Sequence, residues 1–162
     1  MSKFLAFSEN PLGRDFICSD IHGHFYLLEE KLEIFNFDKK VDRLFCLGDL
    51  IDRGEDSILA FDYLEEPWFY TILGNHEIML IDAYESSGDS AKQQWYAWGG
   101  EWARDLPDED LEQFYHALIK QPIGIELAIK NNKKVGLIHA NLSTTANWDD
   151  TCLLYTSDAA DE

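Results

Sequence analysis

The chain has 162 residues, of which 46% are hydrophobic and 14% aromatic, and its 31 acidic and 13 basic residues give a formal net charge of −18. A chain of this length and apolar content is typical of one domain with a hydrophobic core. Because nucleic-acid backbones and anionic membrane surfaces attract lysine and arginine, the acidic balance argues against nucleic acid and against a membrane as partners.

The cysteines and the apolar runs indicate a reducing compartment. The three cysteines, Cys18, Cys46 and Cys152, form no Cys-x-x-Cys spacing, and the first two lie in apolar runs where cysteine acts as a small apolar residue. The sequence shows no N-terminal basic and apolar signal and no apolar run of membrane-spanning length. We therefore expect a cytoplasmic protein.

Hydrophobic patterning predicts alternating strands and helices, followed by further helices and a hairpin. Residues 1–13, with Asn10-Pro11 and Gly13, predict an irregular lead-in. The predicted elements that follow are strands at 14–19, 43–47 and 68–73, helices at 24–35, 55–64 and 76–84, a Ser/Gly loop at 86–90, two short helices within 91–104, a helix at 107–119, and hairpin strands at 123–129 and 133–139. This order indicates an α and β fold with a mixed sheet.

Three tryptophans recur at helical spacing in the aromatic segment 91–104, at Trp95, Trp98 and Trp102. Such a stripe predicts a helix face that packs against the domain. The alternative is a set of aromatic residues that binds a ligand. Gly99-Gly100 interrupts the pattern and predicts two short helices instead of one.

Polar residues of metal-binding type follow four apolar strands. The four strand ends carry Asp20 and His22, then Asp49, then Asn75, and finally His139. Loops at strand ends are held still by the strands and concentrate functional residues. Four such ends in this order predict a site for two metal ions.

The ligand types predict how the two metals share these residues. Asp20 and His22 are two positions apart, and strand alternation would direct both to one metal. Asp49 has two carboxylate oxygens and can bridge two cations, while Asn75 and His139 offer an oxygen and a nitrogen to the second metal. Nitrogen and oxygen ligands without thiolate favour Mn²⁺, Fe or Zn²⁺.

Three residues near the ligands are candidates for catalysis. His76 adjoins Asn75 and is the candidate general acid, Asp52 can hold its other ring nitrogen, and Arg53 can bind phosphate oxygens. Asp52 as a turn acid and Arg53 in a surface ion pair are the structural alternatives. We expect Glu77 to support the loop or cap the helix.

The motifs together resemble the phosphoprotein phosphatase family of metallophosphoesterases, in its bacterial and phage lambda-type branch. The resemblance covers roughly residues 13–150 and rests on Asp20-x-His22-Gly23, Gly48-Asp49-x-x-Asp52-Arg53-Gly54, Gly74-Asn75-His76-Glu77, His139-Ala140, Trp98-Gly99-Gly100, Leu106-Pro107 and Gln121-Pro122-Ile123-Gly124-Ile125-Glu126. It implies an α+β, calcineurin-like metallophosphoesterase fold of four layers, with two packed mixed β-sheets flanked by helices.

The resemblance also implies the chemistry. It assigns Asp20, His22 and Asp49 to one metal, and Asp49, Asn75 and His139 to the other, with Mn²⁺ as the expected ion. His76, Asp52 and Arg53 would be catalytic, and Arg53 and Asn75 would bind substrate. The implied activity is that of a protein-serine/threonine phosphatase, which uses in-line attack by a hydroxide held between two metals. Its substrates would be phosphoserine and phosphothreonine in proteins, with phosphotyrosine as a further candidate.

Two other functions stay open. One is a symmetrical dinucleoside tetraphosphate hydrolase, a relative in which the resemblance implies that the acid at Asp52 is often absent and that aspartate tends to replace Glu77. Both residues of this chain favour the phosphatase. The other is a domain that binds metal or phosphate without turnover.

The resemblance weakens toward the C-terminus. We expect a calcineurin-like domain over residues 1–150 that is incomplete at its C-terminal end, because no histidine follows His139 and no arginine follows Arg104. Residues 151–162 do not resemble the family and predict a non-native tail.

Overall fold

The computed structural model describes residues 4–140, so the tail predicted at 151–162 lies outside the described residues. Its elements in chain order are β1 (Phe4–Phe7), β2 (Asp15–Cys18), α1 (Phe25–Ile34), β3 (Arg43–Cys46), a 3₁₀ turn (Ser57–Leu59), α2 (Ala60–Leu64), β4 (Phe69–Thr71), α3 (Asn75–Glu85), α4 (Asp89–Ala97), a second 3₁₀ turn (Gly100–Ala103), α5 (Asp108–Leu118), β5 (Gly124–Ile129) and β6 (Lys133–Ile138).

The sheet that carries the predicted ligand loops consists of β2, β3 and β4 in that order, all parallel. The central strand β3 has buried side chains at Leu44, Phe45 and Cys46. A parallel strand that is covered on both faces has a continuous apolar sequence, and this pattern predicted β3. Within the described residues this sheet is parallel, whereas the sequence predicted mixed pairing in both sheets.

A second sheet has the order β1-β5-β6, with β1 parallel to β5 and β5 antiparallel to β6. The predicted hairpin forms β5 and β6. The prediction of an irregular lead-in was wrong for Phe4–Phe7, which forms β1 and pairs with Gly124 to Leu127. The run is apolar, but its hydrogen-bond partner lies far along the chain, so local turn signals did not reveal it.

The two sheets pack face to face around one apolar core. Phe45 and Ile72, from the parallel sheet and the residue after β4, pack with the second sheet's Ile125, Leu127 and Leu137. The buried apolar side chains of the helices all belong to the other core, on the opposite face of the parallel sheet. Helices, parallel sheet and mixed sheet are therefore three of the four expected layers within residues 4–140.

The helical predictions hold with three corrections. The predicted helix at 55–64 is a 3₁₀ turn followed by α2, and α4 begins at Asp89, inside the predicted loop at 86–90. In the tryptophan stripe Trp95 is buried, but Trp98 is 40% exposed and does not face the core. None of the helices in the described part of the chain is long and apolar enough to cross a membrane.

We expect the core between the sheets to contribute most of the stability of β5. Ile125→Ala should lower the free energy of unfolding by about 2–5 kcal/mol, because it removes a buried side chain and leaves a cavity. Ile129→Ala on the same strand is the control, since Ile129 is 37% exposed whereas Ile125 is 1% exposed. Urea unfolding measures both, and equal losses would contradict this account of the core.

Candidate metal and phosphate site

The candidate residues lie in the loops after β2, β3 and β4 and directly after β6. Parallel strands carry their carboxyl ends to one edge of a sheet, so these loops meet there. The N–H of Asp20 donates to the Gly48 carbonyl at 3.2 Å, and the N–H of His22 donates to the Asp49 carbonyl at 2.9 Å. The structure brings together all eight predicted residues: Asp20, His22, Asp49, Asp52, Arg53, Asn75, His76 and His139.

The loop backbone is left-handed at five of these residues. The φ angles are 50° at Asp20, 45° at His22, 53° at Asp49, 73° at Asp52 and 70° at Arg53. Residues other than glycine rarely adopt this region, and they do so where surrounding contacts enforce it. The prediction that strand alternation aligns Asp20 with His22 was wrong, because β2 ends before both and their backbone is that of a loop.

Glu77, in the first turn of α3, joins the loop after β3 to the loop after β4. Its buried Oε2 accepts the N–H of Asp49 and the N–H of Gly74, and its Oε1 accepts the N–H of Leu50, each at 2.8 Å. A carboxylate is also favoured at this end of a helix by the helix dipole. The prediction that Glu77 supports the loop is confirmed.

Glu77 and Asp49 form a crowded acidic pair. Burial, together with the nearby charge of Asp49, raises the pKa of Glu77 to about 7, although the backbone N–H donors oppose the rise. A Cβ built on Gly74 would lie 2.1 Å from Asp49 Oδ1, so a glycine is required for this approach. Positive charge beside Asp49 would relieve the repulsion between the two carboxylates.

Asp49 is shared by two clusters of potential metal ligands. One cluster contains His22, Asp49 and His76, the other contains Asp20, Asp49 and His139, and the ligand atoms of each lie within 4.8 Å of one another. Asp49 Oδ2 lies 3.6 Å from His22 Nε2, and its Oδ1 lies 3.5 Å from His139 Nε2. One carboxylate therefore faces both clusters. The clusters group Asp20 with His139, and the assignment of Asp20 and His22 to one metal stays a prediction.

Backbone carbonyls set the orientation of two histidines. His22 Nδ1 lies 3.0 Å from the Ile51 carbonyl, and His139 Nδ1 lies 2.7 Å from the Leu47 carbonyl. Since a carbonyl only accepts, Nδ1 carries the proton in both rings, and Nε2 of the neutral ring is left as an acceptor. Burial lowers the pKa of His22 and outweighs the Ile51 carbonyl and the charge of Asp49, which act in the opposite direction, so the neutral ring is favoured.

The acceptor atoms around Asp49 fit a cation. His139 Nε2 lies 2.9 Å from Asn75 Oδ1 and also faces Asp49. Three acceptors that converge in this way repel one another unless positive charge lies between them. Imidazole nitrogen with carboxylate and amide oxygen suits Mn²⁺, Fe or Zn²⁺. The donor set is therefore able to bind divalent metal on both sides of Asp49.

A buried carboxylate–imidazole pair stands beside this donor set. Asp52 and His76 are both fully buried, and His76 Nδ1 lies 2.8 Å from Asp52 Oδ2. His76 Nε2 is 3.1 Å from Arg53 Nη2, and Arg53 Nη1 is 3.1 Å from His22 Nε2. The pairing of Asp52 with His76 is as predicted, and the exposed Arg53 joins this pair to the donor set.

Sequence reasoning missed two residues that contact Asp52. Trp95 Nε1 donates to Asp52 Oδ2 at 2.9 Å, and Trp102 Nε1 donates to Asp52 Oδ1 at 2.7 Å. Their spacing predicted packing against the domain, with ligand binding as the alternative, and neither interpretation included a hydrogen bond to Asp52. The available signal was chemical, since a buried indole N–H generally requires an acceptor. Trp98, the third member of the stripe, is not among these donors.

The remaining histidines do not join the site. His24 is exposed before α1, and its ring packs edge-on against Tyr26 at 6.0 Å between ring centroids. His116 is 54% exposed on α5 and faces Glu112. Neither belongs to the ligand clusters found within residues 4–140.

Comparison with known proteins relates this chain to one protein family. The family model described as calcineurin-like phosphoesterase matches residues 16–162. Serine/threonine-protein phosphatase 2 of Escherichia coli (strain K12) is 38% identical over 128 residues, which are 77% of this chain and 57% of that protein. The symmetrical bis(5'-nucleosyl)-tetraphosphatase of Wigglesworthia glossinidia brevipalpis is 32% identical over 144 residues, which are 88% of this chain and 49% of that protein.

The fold is also that of solved phosphoesterases. The crystal structure of a candidate diadenosine tetraphosphatase superposes with a TM-score of 0.70 at 25% identity, over 94% of this chain and 60% of the other. The chain thus spans about half the length of the curated relatives it matches.

We expect Glu77→Gln to destabilise the site loops without removing a candidate ligand. The amide nitrogen that replaces one oxygen would face backbone N–H donors, and each buried donor left unpaired costs roughly 1–3 kcal/mol. The free energy of unfolding in urea should fall by that amount or more. Glu112→Gln is the matched control, since Glu112 is 58% exposed, and a similar loss in both variants would argue against the role of Glu77.

Proposed function

The chain belongs to the calcineurin-like phosphoesterase family, and on that premise we propose that it is a metal-dependent phosphomonoesterase that hydrolyses phosphoserine and phosphothreonine in proteins. Phosphotyrosine is a further candidate substrate. The observation that carries this proposal is the buried Asp52–His76 pair beside the Asp49 donor set, because a His76 ring protonated on both nitrogens can donate a proton to the leaving group of a phosphate ester bound at that donor set.

The proposed ligands are Asp20, His22, Asp49, Asn75 and His139, and the proposed metal is Mn²⁺. When bound, a pair of divalent ions supplies Lewis-acid activation of water and neutralisation of phosphate charge. The contribution of the chain is to hold these ligands in fixed orientations, through Glu77 and through the carbonyls that bind the histidines.

The leaving alkoxide of a serine or threonine ester needs a proton. His76 directs Nε2 toward Arg53 and the donor set, and its Nδ1 proton is held by Asp52. In the structure Nε2 accepts from Arg53, which only donates. In the proposed reaction Arg53 turns to the phosphate and Nε2 of His76 carries a second ring proton, which His76 donates to the leaving oxygen while Asp52 stabilises the protonated ring. Arg53, which is exposed, binds phosphate oxygens with its two terminal nitrogens, and Asn75 contributes its amide.

The second candidate is hydrolysis of symmetrical dinucleoside tetraphosphates, which is favoured by the relative at 32% identity and by the structure of a candidate diadenosine tetraphosphatase. Cleavage of a phosphoanhydride releases a nucleotide phosphate, which is a good leaving group and has little need of a proton. The Asp52–His76 pair has more to contribute to an alkyl ester. It therefore supports the monoesterase as the first proposal.

The test is turnover by the 162-residue chain with Mn²⁺ and after chelation. We expect phosphate release from a phosphoserine peptide with Mn²⁺ only, and less hydrolysis of diadenosine tetraphosphate. Asp49→Asn should abolish both Mn²⁺ binding in calorimetry and turnover, whereas Asp62→Asn, an exposed acid outside the site, should change neither. A preference for the dinucleotide would support the second candidate, and Mn²⁺ binding without turnover on either substrate would support a non-enzymatic domain.

We expect His76→Asn to lower kcat on an alkyl phosphate by about 10²–10⁴-fold, the usual contribution of a general acid. The loss on 4-nitrophenyl phosphate should be smaller, because that leaving group needs less protonation. Calorimetry should show Mn²⁺ binding close to that of the unaltered chain. His116→Asn is the control, since His116 is 54% exposed on α5. Equal losses on both substrates would contradict the acid role.

A further inference from the structure

The Asp52 carboxylate is held by three donors, although it is fully buried. Oδ2 accepts from His76 Nδ1 at 2.8 Å and from Trp95 Nε1 at 2.9 Å, and Oδ1 accepts from Trp102 Nε1 at 2.7 Å. Donors on both oxygens fix the rotation of the carboxylate plane. The oxygen that receives the His76 proton is thereby fixed as well.

Both indoles come from one segment that contacts the Asp52 loop along its length. The segment runs from α4 through the 3₁₀ turn at Gly100–Ala103. Between the two tryptophans, the Gly99 carbonyl accepts the backbone N–H of Arg53 at 3.1 Å. A Cβ on Gly99, whose φ is +118°, would lie 2.9 Å from Arg53 N and Cγ. The segment therefore reaches both Asp52 and Arg53.

We propose that Trp95 and Trp102 are positioning residues, whose indole N–H groups orient Asp52 so that His76 presents Nε2 to the leaving oxygen of the substrate. This inference rests on the proposed function, because the orientation matters only where His76 transfers a proton. Trp95 and Trp102 contact neither the donor set around Asp49 nor Arg53 through these indole bonds. Their effect on the reaction passes through Asp52 and then through the His76 ring.

The physical consequence of losing one indole is specific. Without Trp102 the Oδ1 atom loses its indole donor, and only the two donors on Oδ2 restrain rotation about the Cβ–Cγ bond. The carboxylate plane is then less closely fixed, and so is the orientation of the His76 ring. Proton transfer needs close alignment of donor and acceptor, whereas binding of phosphate by Arg53 does not. The loss should therefore appear in kcat and not in KM.

Another tryptophan of this chain provides a matched comparison. Trp68 donates its Nε1 proton to Glu66 Oε2 at 2.7 Å and is 4% exposed, so it also joins a largely buried indole to a carboxylate. It packs against Phe37, Tyr63 and Phe69, away from the Asp49 loops. Trp68→Phe thus removes a comparable indole hydrogen bond without touching Asp52.

The kinetic test compares Trp102→Phe with Trp68→Phe in the full chain with Mn²⁺. For Trp102→Phe we expect kcat on an alkyl phosphate to fall roughly tenfold or more, a part of the about 10²–10⁴-fold that a general acid supplies. The loss on 4-nitrophenyl phosphate should be several times smaller, and KM for both substrates should stay close to that of the unaltered chain. Trp68→Phe should not lower kcat on the alkyl phosphate more than kcat on 4-nitrophenyl phosphate. An equal loss on both substrates would overturn the proposal.

A second measurement does not depend on turnover. In ¹⁵N–¹H spectra of the unaltered chain, the indole N–H signals of Trp95 and Trp102 should lie downfield because both donate to a carboxylate. Asp52→Asn should shift these two signals upfield and leave that of Trp68 in place. In Trp102→Phe, the Nδ1 proton of His76 should exchange faster with solvent than in Trp68→Phe.

The two measurements separate the possible failures. If the unaltered chain has no turnover but the indole and His76 signals respond as described, the proposed function fails while the positioning contact stands. If turnover is present but the His76 proton does not respond to Trp102→Phe, the positioning role is wrong. If Trp102→Phe does not fold, the response of the Trp95 and Trp102 signals to Asp52→Asn decides, and unchanged signals overturn the proposal.

Discussion

The buried carboxylate of Glu77 is the constraint on which the site depends. It accepts N–H groups from the loop after β3 and from the loop after β4, so it fixes the distance between Asp49 and the start of α3. Without an acceptor there, these buried donors would be unpaired, and Asp49 would have no enforced left-handed backbone. The cost of burying Glu77 appears as its raised pKa.

Asp49 is the centre around which the other ligands are arranged. Its two oxygens face His22 on one side and His139 on the other, and two carbonyls of its own loop, those of Leu47 and Ile51, orient both rings. Acceptor atoms gathered in this way are favourable only with positive charge among them. These loops therefore favour the binding of cations at Asp49, and the net negative charge of the chain acts in the same direction.

Beside this cation site, the buried carboxylate of Asp52 holds His76, the residue proposed to transfer a proton. Its partners come from three parts of the chain: α3 supplies His76, α4 supplies Trp95, and the following 3₁₀ turn supplies Trp102. A buried acid with this many donors has a single orientation. The segment from α4 through this 3₁₀ turn contributes no proposed metal ligand, yet it bears directly on the proposed reaction, since an alkyl ester depends on the proton that such a pair delivers.

The sequence by itself determined the strands β2, β3 and β4, the polar residues that follow them and the pairing of Asp52 with His76, because these depend on short contiguous patterns and on local chemistry. Tertiary structure decided what depends on distant partners. Phe4–Phe7 became a strand only against β5, and Asp52 gained donors 43 and 50 residues away. The left-handed backbone at Asp20 and His22 likewise follows from contacts between loops, which no periodicity encodes. Hydrogen bonds between residues far apart in the chain leave no pattern in the residues that make them.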